Sequence, residues 1–209
     1  MRVRSPLSIG TLLLVAVAAC QDTTSPRGTL SADESAALAV QLGAPLTAAA
    51  TASSGISADL IPSGASAASS AWSIDVTNPS LACPRGGTTA VSVSGSGTAD
   101  PTTHSLTANI TGTQQPTSCG FLAKGRLVYL TAAAPITTTV SLDIENGLPV
   151  GAQTVTVAGS FSYTVEGGAA QSCSVDYTAT SDYTTDTSTV DGQFCNTTLH
   201  YTGPIPSGH

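Results

Sequence analysis

From Ala71 to Tyr201 the apolar residues recur at every second position, and that period restricts the chain to one kind of fold. Trp72, Ile74 and Val76 alternate with Ser73 and Asp75, and Val91 and Val93 alternate with Ser92 and Ser94. Leu106, Ala108 and Ile110 follow the same rule, as do Val140, Leu142 and Ile144. The longest run is Val155, Val157, Gly159, Phe161, Tyr163 and Val165, and Cys173, Val175, Tyr177 and Ala179 continue it. Successive side chains of a strand point to opposite faces, so each run predicts a strand with one face in a core and one in water. Thr, Val and aromatic residues suit such a pleated surface. One stretch departs from the rule. Leu127, Val128, Tyr129 and Leu130 are apolar in succession, which predicts a strand covered on both faces or one crossing the core.

Breakers divide these runs. Asn78-Pro79-Ser80, Arg85-Gly86-Gly87, Asp100-Pro101, Gln115-Pro116, Asn146-Gly147, Glu166-Gly167-Gly168 and Asp191-Gly192 all favour turns by their backbone chemistry. They separate about eight strands, and links this short force neighbours to be antiparallel. The expectation is all-β: a single antiparallel meander over 71–201, closed as a barrel, half-closed, or folded as a sandwich. Aromatic residues are only 4% of the chain, so the core is thin and gains from cross-links.

Upstream, Ser31 and Glu34 have the spacing of a capping box, and Leu38 and Leu42 lie on one face. A short helix is expected near 31–42, stopped by Gly43-Ala44-Pro45. Thr47 to Ser70 is rich in Ala, Ser, Thr and Gly without an apolar period and reads as a spacer.

The first residues carry a different signal. Arg2 and Arg4 precede an apolar run, Leu7 to Ala19, that ends in Val17-Ala18-Ala19-Cys20. The run is too short for a membrane span and has the form of a secretory signal. Its ending resembles the lipobox of bacterial lipoproteins, in which the cysteine sulfur receives a diacylglycerol, the preceding peptide is removed and the new N-terminus is acylated. The resemblance covers residues 1–20 alone. It implies a signal peptide over 1–19, lipid such as palmitate on Cys20, and a chain held on the cell envelope. Gln21 rather than an aspartate follows the cysteine, which in the proteobacterial pattern implies the outer membrane. On this reading 20–70 is a lipidated tether, 71–201 the β domain and 202–209 a disordered tail.

Loss of the signal leaves 4 basic residues against 13 acidic ones, a net charge of −9. Such a chain lacks the basic patch that nucleic acid requires, and its net charge opposes anionic lipid headgroups. Besides Cys20 there are Cys83, Cys119, Cys173 and Cys195, an even number in an exported chain, which predicts two disulfides. Each of two pairs, Cys83 with Cys119 and Cys173 with Cys195, is symmetric about a polar turn, which favours that pairing over the other two connectivities. The face parity is off in both hairpins, so one bulge is expected, with Gly192 as a place for it. No C-x-x-C spacing points to zinc, and no cofactor or metal is expected.

Catalytic motifs are sparse. Ser94-Gly95-Ser96-Gly97 lacks the spacing of a nucleophile elbow. His104, His200 and the terminal His209 are the only histidines and Lys124 the only lysine; each reads as a solvated side chain. Asp143 and Glu145 project from one strand face, and Asp182, Asp186 and Asp191 surround the last hairpin, where calcium-binding spacing is lacking. Thr137-Thr138-Thr139 and Thr154-x-Thr156 predict a hydroxyl array on an exposed face. Asn109-Ile110-Thr111 and Asn196-Thr197-Thr198 fit the glycosylation sequon. The expected function is non-catalytic: an anchored β domain that binds an envelope protein or supports the envelope. The alternatives are a carrier of a small apolar ligand inside a barrel and, behind it, a hydrolase with an unrecognised site.

Overall fold

The computed structural model describes residues 28–31, 34, 35, 38, 69–100, 102–146 and 148–204. The signal region, Cys20 and nearly all of the Ala-rich spacer lie outside the described residues. The ten strands are β1 (Ser70–Ala82), β2 (Thr88–Asp100), β3 (Ser105–Thr117), β4 (Cys119–Ala123), β5 (Arg126–Thr131), β6 (Ile136–Glu145), β7 (Leu148–Val165), β8 (Gln171–Asp182), β9 (Thr187–Phe194) and β10 (Thr197–Pro204). They form one antiparallel sheet, ordered β1-β2-β3-β6-β7-β8-β9-β10, with β5 paired to both β4 and β7. β1 and β10 each have one partner, so the sheet does not close into a barrel.

The ten strands reduce to eight long ones. β5 and β6 both run antiparallel to β7, end to end, and the four residues 132–135 interrupt them. β3 and β4 are likewise one strand kinked at Ser118, whose φ is 48°. The expected meander is therefore what the chain forms, with strand 10 reaching Pro204, beyond the expected boundary at 201. Lys124-Gly125 and Cys195-Asn196 each join two strands directly, with φ of 50° and 87° and of 48° and 65°. Two left-handed residues in a two-residue link match the right-handed twist of the strands they connect.

Register places every alternating apolar run on one face. Val140, Val155, Ala179 and Val190 face one another across four strands, and Phe161 meets Cys173. The core gathers Phe121, Val128, Leu130 and Ile136 with Val157, Val175, Tyr177 and Phe194, all buried. A smaller cluster, Val91 and Val93 with Ile74, Leu81 and Ile110, lies under β1–β3. A single sheet has nothing to pack on unless something crosses its apolar face. The described residues between Gly28 and Leu38 do so. Glu34, Ser35 and Leu38 are helical, and Leu38 is fully buried in the main cluster. The capping box forms: Ser31 N donates to Glu34 Oε2 at 2.8 Å and Glu34 N to Ser31 Oγ at 3.2 Å.

Two expectations about irregularities need correction. Gly192 is not a bulge, because β8–β9 and β9–β10 keep unbroken register through it. It is a close approach: its φ is 139°, and a Cβ there would strike the Asp176 carbonyl and the Tyr177 side chain. The register shifts lie at Asn78/Leu81 in β1 and Ser141/Asp143 in β6. Thr138 also departs from expectation, since it points into the core rather than outward.

Leu38→Ala should lower stability by about 2–5 kcal/mol, as for other fully buried leucines. Gly192→Ala should cost about 1–3 kcal/mol through overpacking. Chemical unfolding of the two variants checks both, and a loss below 1 kcal/mol for Leu38→Ala would mean that the helix does not cover the sheet.

Candidate functional site

The structure gathers its distinctive chemistry at one end of the strands, where the described residues between Gly28 and Leu38 meet the sheet. β1 leads there into the loop Cys83–Gly87, β4 turns into β5 at Lys124-Gly125, and β7 turns into β8 at 166–170. The Cys83–Gly87 loop folds back onto β4: Arg85 N donates to Gly120 O at 3.1 Å and Gly120 N to Gly86 O at 2.8 Å. The Cys83–Cys119 disulfide locks this arrangement. Gly87 and Gly120 are required at the crossing, since a Cβ on Gly87 would strike the Ser118 carbonyl and one on Gly120 would lie 2.5 Å from the Arg85 carbonyl. The Cys-Pro-x-Gly-Gly stretch is thus a clasp between two strand ends. The second disulfide, Cys173–Cys195, ties β8 to the β9–β10 turn. Cys195 N donates to Ser174 O at 2.9 Å, so register sets Cys195 opposite Ser174, and the turn's left-handed backbone brings the sulfur to Cys173. The parity offset is resolved in the turn, without a bulge.

The N-terminal segment is fastened at the same end. Arg126 Nη1 donates to Glu34 Oε1 and Oε2 at 2.9 and 3.1 Å and to Thr29 O at 3.4 Å. The Glu34 side chain is 7% exposed and that of Arg126 39%. Glu34 therefore serves twice, as the helix cap and as the carboxylate that holds Arg126. Gly28 rests against Gly168 of the β7–β8 turn. Sequence reasoning missed this ion pair, whose members are 92 residues apart. The only local signal was the capping box.

The sequence-derived candidates for chemistry disperse. His200 Nδ1 lies 2.7 Å from Asp191 Oδ1, but both side chains are largely exposed, at 77% and 63%. The register neighbours around them are Thr198, Thr202, Thr189 and Gln193, with Thr178 of β8 opposite Asp191, and none of these is a serine. An exposed pair of this kind contributes little to stability. His104 sits in the turn at the opposite end with φ 51°, and His209 lies outside the described residues. Asp143 and Glu145 are exposed on the outer face. Among the described residues no group of three His, Cys, Asp or Glu side chains converges as a metal site. Asn109 lies in β3 and Asn196 in the β9–β10 turn, both exposed. The outer face does carry hydroxyl rows: Ser94, Thr111, Thr139, Thr156 and Thr178 stand side by side across five strands. Facing hydroxyls bond locally, as Thr98 and Thr107 do at 2.8 Å.

No family model, no curated protein and no solved structure matches the chain.

At the opposite end two aspartates organise the turns. Asp100 Oδ1 accepts from Thr102 N at 2.8 Å and Thr103 N at 3.3 Å, and Asp182 Oδ1 accepts from Thr184 N at 2.8 Å. These backbone N–H donors hold both carboxyls below the ordinary value of 3.8. A depressed folded-state pKa stabilises the fold above the unfolded value, and that stabilisation is lost as pH falls through the lowered one. Asp100→Ala with Asp182→Ala should therefore flatten the acid limb of a Tm-against-pH curve below about pH 4. An unchanged limb would show that the two turns do not contribute to it.

Proposed function

We propose that this chain is a lipoprotein of the bacterial cell envelope, acylated at Cys20, whose disulfide-bonded β domain acts by binding a protein partner or supporting the envelope rather than by catalysis. The observation that carries the reading is Val17-Ala18-Ala19-Cys20 at the end of an apolar run behind two arginines. The two disulfides support it, since they persist in an oxidising compartment and not in a reducing cytosol. Each buried methylene of an acyl chain adds about 0.8 kcal/mol of membrane affinity, so two or three chains would hold the protein firmly. An outer-membrane address is part of the proposal, on the strength of Gln21.

A carrier of apolar ligands is the second reading. Its support is the lightly covered apolar face under β1–β3, where Trp72, Ile74 and Val76 are only half-buried. There the Trp72 indole Nε1, packed over Gly97, lacks a hydrogen-bond partner. The open sheet gives a ligand a face instead of an enclosed cavity.

Mass spectrometry of protein purified from membranes should give a chain that begins at Cys20 and carries acyl groups. Cys20→Ser should abolish processing at that position and release from detergent should no longer be needed. An unmodified thiol at position 20 would overturn the anchor. Trp72 is the single tryptophan, so its fluorescence reports directly on the second reading. Titration with a long-chain fatty acid should shift the emission if the face binds ligand, and an unshifted spectrum would reject the carrier.

A further inference from the structure

We infer that the β4–β5 hairpin, with the Cys83–Gly87 loop beside it, lies on the anionic phospholipid surface to which Cys20 anchors the chain, so that the domain is held at the bilayer in one orientation. The inference rests on the acylation proposed above and adds the contact surface.

Tether length is the first argument. Gly28 to Ser31, Glu34, Ser35 and Leu38 belong to the folded body: Leu38 is in its core and Glu34 is bonded to Arg126. The reach between the membrane and the domain is therefore set by residues 21–27 and not by the Ala-rich stretch after the helix. From Cys20 to Gly28 there are eight steps, at most about 28 Å when fully extended. The strand end beside Gly28 cannot move far from the headgroups.

Charge is the second. All the lysine and arginine side chains among the described residues, Arg85, Lys124 and Arg126, are at that end, and Arg85 and Lys124 are exposed. Glu166 is there too, and Glu34 is bonded to Arg126. The turns of the opposite end carry Asp100, Glu145, Asp182 and Asp186. The net charge of the chain opposes an anionic surface, but its distribution does not. An anionic bilayer attracts the tethered end and repels the far one, and each Lys or Arg close to such a surface changes occupancy by roughly fivefold.

Apolar exposure is the third. Large exposed hydrophobic residues are Leu122 and Tyr129, both at 37%, and Leu148 at 65%. Leu148 stands alone at the far end. Leu122 and Tyr129 share the outer face of the β4–β5 hairpin with Leu127, which sits opposite Leu122. This accounts for the apolar succession Leu127–Leu130: Val128 and Leu130 fill the core, and Leu127 and Tyr129 cover the outer face. Two leucines and a tyrosine beside the exposed Lys124 have the chemistry of the headgroup boundary, where an amphipathic ring sits between hydrocarbon and phosphate.

The test uses the full acylated protein in vesicles of phosphatidylethanolamine with phosphatidylglycerol, compared with vesicles of phosphatidylcholine. Amide hydrogen exchange over 119–131 should slow roughly fivefold or more in the anionic vesicles, while 182–187 should exchange equally in both. Lys124→Asn with Tyr129→Ser removes the charge and the ring at exposed positions, and asparagine tolerates the left-handed backbone of residue 124. The double variant should lose the protection at unchanged Tm. Equal exchange in the two lipids, protection of 182–187 instead, or protection that survives the double variant would each overturn the inference. Intact mass separates the two failures. An acylated chain with an unprotected hairpin refutes the contact alone, and an unacylated Cys20 removes the anchor and the contact with it.

Discussion

A lone sheet with one apolar face is not a stable object, and the covering of that face governs this structure. The eight long strands leave β1 and β10 with one unpaired edge each, so closure does not supply the cover. The helical residues Glu34, Ser35 and Leu38 cover the sheet's main cluster, through Leu38, and the capping box and Arg126 hold them in place. The arrangement is economical because one carboxylate joins the two tasks. Glu34 satisfies the Ser31 amide, which would otherwise be an orphan of the helix start, and neutralises an arginine that projects from the first residue of β5. The attachment of these helical residues is tertiary.

Much of this was legible in the sequence, for reasons that are local. Period-two alternation specifies which residues face inward, and four of the breakers, Arg85-Gly86-Gly87, Asp100-Pro101, Asn146-Gly147 and Glu166-Gly167-Gly168, mark where the chain reverses; Asn78-Pro79-Ser80, Gln115-Pro116 and Asp191-Gly192 instead lie inside β1, β3 and β9. Together they leave an antiparallel meander as the answer. The capping box is equally local, since both of its members lie within one turn. The two kinked strands were not legible. The break between β5 and β6 is set by β7, a strand of 18 residues that pairs with both pieces, and the kink at Ser118 is set by the clasp with the Cys83–Gly87 loop. Nor was the role of Gly192: its missing Cβ matters only because the backbone of Asp176 and Tyr177 passes next to it.

The candidate site was less legible than the fold, because sequence motifs for chemistry name residues, whereas a site depends on which of them meet. The last-hairpin aspartates illustrate this. Asp182 organises its own turn, and Asp191 meets His200 across a β9–β10 ladder. Asp186 is the left-handed last residue of that turn. Three acids that look like one cluster along the chain thus have three unrelated tasks. The two cysteine pairs show the converse, in that residues far apart in sequence are adjacent because a turn ends beside a neighbouring strand.

Composition misleads in the same way when it is read as a sum. A strongly acidic total suggests a molecule that avoids phosphate at every point of its surface. In an antiparallel meander, however, all turns fall at two ends, and the charges carried by turns are sorted between those ends by strand parity. Here the links after odd-numbered long strands and the links after even-numbered ones differ in their residues: Arg85 and Lys124, with Glu166, are in the first set, and Asp100, Glu145 and Asp186 are at or beside the second. Between the ends the outer face also carries the exposed Asp75, Asp143, Asp176 and Asp191, which add to the acidic total without placing a lysine or arginine outside the first set. The polarity of the molecule is therefore a direct consequence of its topology, and it exists whatever the sign of the total. Because screening limits such fields to about 8–10 Å in physiological salt, it acts only on a surface that the chain is already held against, which is the circumstance a short tether at one end creates.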